Sequence, residues 1–107
     1  MEKRKLDKDL YNGFIKLHIL YHAAKGKIFG LWIITELRRH GYDLSPGTLY
    51  PILHRMEGKG YLKSKKKIVK GKIRRIYSIT PLGNSTLSDA KNKIKELFGE
   101  LFEHDEK

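Results

Sequence analysis

The chain predicts as α+β, mainly α, and three features of the sequence lead there. Apolar residues recur at helical spacing through three segments between residues 8 and 58. Aromatic and β-branched runs then bracket Lys70-Gly71-Lys72, as in a hairpin. Helical spacing returns from Leu87 to Leu101.

The first helix is expected over residues 8–25. Leu10, Phe14, Leu17 and Tyr21 fall on one stripe, and Tyr11, Ile15, Ile19 and His22 on a second beside it. A helix with two apolar faces needs two partners, so the second set is assigned to an interface with another chain. Lys25-Gly26-Lys27 ends the helix. A second is expected over 28–40, with Arg38, Arg39 and His40 at its C-terminal end, where cations complement the helix dipole. Gly41 follows as its C′ residue.

Ser45 is placed to cap a third helix, with Pro46 at its first position. Leu49, Ile52, Leu53 and Met56 follow i, i+3, i+4, i+7 and are expected in the core. The opposite face carries Gly47, Pro51, His54, Arg55 and Gly58, flanked by Thr48 and Tyr50. Pro51 deletes a helix hydrogen bond and is expected to kink the helix. Tyr61-Leu62 and Ile76-Tyr77-Ser78-Ile79 form the hairpin strands, and Thr80 caps a last helix with Pro81 next, where Gly83 and Asn84 could delay its regular start. There Leu87, Ala90, Ile94, Leu97 and Leu101 fit a heptad a/d seam widened by Phe98 and Phe102. The order helix, helix, helix, hairpin, helix is a winged helix-turn-helix with an N-terminal helix and a C-terminal dimerisation helix. The expected division is a DNA-binding domain over 1–83 and the dimerisation helix over 84–107.

Charge names the kind of partner. The 107 residues carry a formal net charge of +11. Between Lys59 and Arg75 lie nine cations and no acid, whereas residues 84–107 hold six acids against four bases. A localised positive patch is the footprint of a polyanion. There is no cysteine, which excludes disulfides, thiolate metal sites and cysteine nucleophiles. No apolar run approaches the roughly 20 residues that span a bilayer, and MEKRKLDKDL has no signal-peptide core, so a soluble cytoplasmic protein is expected. Carboxylates are scattered and serines lack a base partner, so no catalytic site and no cofactor is assigned. His18 and His22 are spaced i, i+4 but no third ligand is evident, and no metal is assigned. Trp32 is read as core or interface.

The segment SPGTLYPILHRMEGKGYL resembles the signature of the PadR family of transcriptional regulators. Gly47, Thr48, Leu49, Tyr50, Pro51, Leu53, Glu57, Gly60 and Leu62 stand in that pattern, as do Arg75, Tyr77, Thr80 and Gly83 of RRIYSITPLG. Pro51, which helix propensity does not explain, is part of that signature. The chain departs from it at Leu31, where tyrosine usually follows Gly30, and at His22, where the first helix usually has an apolar residue. The resemblance implies a homodimeric repressor on a palindromic operator of double-stranded DNA, released in many members by a small hydrophobic effector. With one C-terminal helix the chain looks like the compact subgroup.

On this reading the third helix enters the major groove, and Ser45, Thr48, Tyr50, His54 and Arg55 contact DNA. Lys65, Lys66, Lys67, Lys70, Lys72 and Arg74 of the hairpin neutralise phosphates. The dimer interface is assigned to Tyr11, Ile15, Ile19 and His22 with Leu87, Ile94, Leu97, Phe98 and Leu101. The alternative is a non-specific nucleoid or chromatin protein of the same fold, since lysines attract any duplex.

Overall fold

A computed structural model describes residues 7–103; residues 1–6 and 104–107, the outer ends of the two expected segments, lie outside the described residues. The first helix, α1, is Lys8–Lys25. The Asp7 carboxylate accepts from the amide of Asp9 at its N-terminus, and Gly26 ends it. Ile15, Ile19, Leu20 and Ala23 are its buried residues.

The next element departs from expectation. Ile28–Phe29 is a short strand, β1, and the helix begins only at Gly30, so that α2 is Gly30–Arg39. An aromatic and a β-branched residue after a glycine suit extended backbone, and β1 pairs antiparallel with a strand far along the chain. His40 caps α2, and Gly41 takes φ +89°. The amides of Gly41 and Tyr42 donate to the carbonyls of Arg38 and Leu37, the two bonds of a Schellman motif.

Helix α3 is Pro46–Gly58 and runs unbroken through Pro51. Leu49, Ile52, Leu53 and Met56 are buried, as their spacing requires. Ser45 occupies the N-cap position, but its side chain makes no capping bond to the backbone. Its hydroxyl lies 3.4 Å from that of Thr48, and its carbonyl accepts from the amides of Thr48 and Leu49. A second Schellman motif ends α3: the amides of Gly60, at φ +86°, and Tyr61 donate to Glu57 and Met56.

Strands β2 (Leu62–Val69) and β3 (Lys72–Ile79) form the wing. Lys70 and Gly71 both have positive φ, as a two-residue hairpin turn of matching twist demands. The sheet order is β1-β3-β2. Helix α4, Pro81–Phe98, continues into a π-helical turn at Gly99–Glu103. It begins without delay at Pro81, because the Thr80 hydroxyl accepts from the amide of Gly83 and donates to the carbonyl of Gly60. The expected boundary at 83/84 therefore falls inside a helix.

One core, built from α1, α2, α3, the sheet and Leu87, serves the described chain. It corrects part of the interface expectation. Ile15 and Ile19 are 0% exposed and have no surface to offer a partner. Leu87 is also buried in this core, and Tyr11 packs on Tyr42 while its hydroxyl accepts from the amide of Asp43. The exposed apolar stripe of α1 is the other one: Leu10, Phe14 and Tyr21. Periodicity shows that two stripes exist; only packing decides which turns inward.

Candidate nucleic-acid interface

The face of α3 opposite Leu49, Ile52, Leu53 and Met56 is open to solvent. Ser45, Thr48, Tyr50, His54 and Arg55 are all exposed on it. Two contacts hold this face in place. Gly30, at the start of α2, receives the ring of Tyr50 so closely that a Cβ there would lie 2.4 Å from Tyr50 Cε1. At the other end, the Glu57 carboxylate accepts from the amide of Ser64 at 3.2 Å and from its hydroxyl at 2.8 Å. Arg75 Nη1 donates to the same hydroxyl at 3.0 Å. The root of the wing is thus tied to the C-terminal end of α3, in a charge-assisted network stronger than a neutral bond.

That tie also decides which wing residues share the side of α3. Side chains alternate along a strand, so Ser64, Lys66 and Ile68 share one face of β2. Their partners are Tyr77, Arg75 and Ile73. Lys65 and Lys67 project from the other face, together with Lys72 and Arg74 across the ladder. Lys70 sits at the tip. Of the hairpin cations singled out from the sequence, only Lys66 therefore lies within the strands on the α3 side. Arg75, absent from that set, joins it there, and its register opposite Lys66, on the Ser64 face of the ladder, was the signal that would have found it.

Arg38 is a further cation beside α3. Its guanidinium donates to the carbonyl of Leu44 at 3.5 Å, and it lines a cleft with Tyr11, Ser45 and Thr48. Grooves lie on either side of the half-exposed Trp32, one toward His22 and Lys25 and one toward Val69 and Arg74. Trp32 is not core. His22, assigned to an interface, is tucked within the chain, its ring 5.3 Å from that of Trp32. Burial holds the imidazoles of both His18 and His22 below their ordinary pKa.

An exposed helix beside a cationic wing, on three helices closed by a fourth, defines a winged-helix DNA-binding regulator. The family model for the Transcriptional regulator PadR-like family matches residues 19–89. The chain belongs to this family, which is one of transcriptional regulators and not of enzymes. It is 47% identical over 87 residues to the transcriptional regulator Rv3488 of Mycobacterium tuberculosis, covering 81% of each chain. It is similar in structure to a PadR family transcriptional regulator from Eggerthella lenta, with TM-score 0.75, 26% identity, and 91% and 88% of the two chains covered. It is similar also to a PadR-like transcriptional regulator from Bacillus cereus, with TM-score 0.76, 25% identity, and 92% and 100% covered. No helix among the described residues is long and apolar enough to cross a membrane.

Proposed function

We propose that the chain is a homodimeric repressor that reads a palindromic operator through α3. The observation that carries this is the open face of α3 fixed at both ends, by Gly30 under Tyr50 and by Glu57 on Ser64. A reading helix must be held in register before its side chains discriminate bases. Arg55 and His54 reach base edges, Ser45 and Thr48 bond phosphate near the α3 N-terminus, and Lys66, Lys70 and Arg75 neutralise the flanking backbone.

Dimerisation rests on α4. Ile94, Leu97, Phe98 and Leu101 are each about half exposed in the single chain, an apolar seam at heptad spacing. A second copy covers it and supplies the second reading helix that a two-fold operator requires. Leu10 and Phe14 add to the adhesive surface in place of Ile15 and Ile19. A small hydrophobic effector would enter beside Trp32, whose two grooves adjoin the end of α1 and the wing.

The test is selection of bound sequences from random DNA, followed by footprinting. The expected result is an inverted repeat with half-sites about 10 bp apart or a multiple of that. Binding with no preferred sequence at about 150–200 mM salt would instead make the chain a general nucleoid protein, its affinity supplied by phosphate contacts alone.

A further inference from the structure

His18 and His22 stand one turn apart on α1, and His40 closes α2 four residues after Glu36. The fold gathers all three imidazoles: one ring nitrogen from each lies within 4.8 Å of the others. His22 Nε2 and His40 Nε2 are 3.8 and 3.4 Å from one and the same oxygen, Glu36 Oε2. The other carboxylate oxygen, Oε1, accepts from Arg39 Nη1 at 2.9 Å. Arg39 therefore orients the carboxylate with Oε2 toward the histidines. The arrangement is sheltered, with the side chains of His22 and Glu36 only 11% and 13% exposed. Moreover, His22 Nε2 is buried without a hydrogen-bond partner. Such an orphan forfeits its hydration with nothing in return unless something satisfies it.

We infer that His18, His22, His40 and Glu36 form a binding site for one divalent first-row transition ion of the Zn²⁺ kind. Three imidazole nitrogens and one carboxylate oxygen are a borderline donor set, which suits Zn²⁺ or Co²⁺. All-oxygen cages for Ca²⁺ or Mg²⁺ and thiolate sites for softer ions are different sets. Zn–N distances of about 2.0–2.1 Å put tetrahedral ligand atoms roughly 3.3 Å apart. The His40–Glu36 pair already has that separation at 3.4 Å. The imidazole nitrogens, at most 4.8 Å apart, close the rest by side-chain rotation. Arg39 is then the outer partner that fixes the ligating carboxylate. Spacing alone missed the site because His40 lies on a different helix.

The site has a place in the reading apparatus. It joins the end of α1 to the end of α2, and the His18 ring is 5.0 Å from that of Tyr42 in the turn leading to α3. An ion there pins the segment from which α3 departs.

The experiment uses Co²⁺ as the probe on the full-length chain after chelator treatment. The expected result is one Co²⁺ per chain with the intense visible absorption of a tetrahedral centre, displaced by Zn²⁺. His22→Gln and His40→Gln each lower Co²⁺ affinity at least about tenfold, since loss of a ligand exceeds loss of an outer partner. His40 is 44% exposed at the end of α2, so His40→Gln keeps its far-UV circular dichroism and is a folded test. Absence of a tetrahedral spectrum in the wild type, or unchanged affinity in both variants, overturns the assignment. The readout is absorption, so it stands or falls apart from DNA binding.

Discussion

Gly30 lies directly under the ring of Tyr50: a Cβ at position 30 would stand 2.4 Å from Tyr50 Cε1 and 2.8 Å from its hydroxyl oxygen. The first helical residue of α2 thus sets the posture of a side chain on the exposed face of α3. Gly30→Ala forces the ring to swing. Because Tyr50 is 40% exposed it has room to do so, and the cost falls at the low end of overpacking, about 1 kcal/mol. In a Tyr50→Ala background the same change gains a helix-favouring residue and is neutral or stabilising by up to about 1 kcal/mol. Urea unfolding of the four proteins checks this; additive effects would mean the contact carries no energy.

Glu57 accepts two bonds from Ser64, and Arg75 completes the network from β3. Glu57→Ala should cost about 1.5–3 kcal/mol, the range for hydrogen bonds to a charged group. Glu57→Gln keeps one acceptor and should lie between alanine and wild type. DNA affinity follows the same order, because the wing loses its fixed angle to α3. An alanine variant as stable as wild type would remove this network from the account.

Much of this was legible in the sequence, and what was not has identifiable physical reasons. The buried set Leu49, Ile52, Leu53 and Met56 follows from period alone, as does the hairpin turn from Lys70-Gly71. Strand β1 was hidden because two residues carry no period and its partner, Ile76-Tyr77, lies far along the chain. The inward stripe of α1 was assigned to the wrong side, Ile15 and Ile19 to an interface instead of the core, because both stripes are apolar and period does not say which turns inward. The wing's two faces became distinguishable only through Ser64, whose contact with Glu57 is tertiary.

Gly83, in the first turn of α4, packs directly against Tyr61 and Ile79. A Cβ there would stand 2.2 Å from the carbonyl oxygen of Tyr61 and 2.7 Å from Ile79 Cγ1. Backbone cannot swing aside as the Tyr50 ring can. Gly83→Ala should therefore destabilise by at least about 2 kcal/mol, within the range for overpacking. Gly58→Ala is the contrast, since nothing lies within 4 Å of its Cβ; it should stabilise α3 by about 0.5–1 kcal/mol. Melting temperatures of the two variants should move in opposite directions.

The α4 seam makes a prediction about assembly. Leu97 and Leu101 are half exposed one turn apart, so Leu97→Glu alters no core packing of the single chain. On the dimer reading it buries a charge between copies, and the variant sediments as a monomer at micromolar concentration while keeping its helical content. A wild-type monomer under the same conditions, or a variant that still dimerises, would remove α4 as the interface.

Lys66 faces Arg75 directly across the ladder, on the α3 side of the wing. Like charges at such positions destabilise a hairpin by roughly 0.2–1 kcal/mol, and phosphate is the natural relief for both. Removing one charge should therefore have opposite effects on folding and binding. Lys66→Gln gains a few tenths of a kcal/mol of stability by relieving the repulsion. Its DNA affinity falls, and the slope of log K against log salt shrinks by about 0.9 for each phosphate no longer neutralised, about 1.8 for a bound dimer. Lys63 projects from the opposite face of β2, paired with Ser78, so Lys63→Gln leaves the slope unchanged. Titrations at several salt concentrations separate the two; equal slopes for both variants would show that the wing attracts DNA only through its total charge, without a defined contacting face.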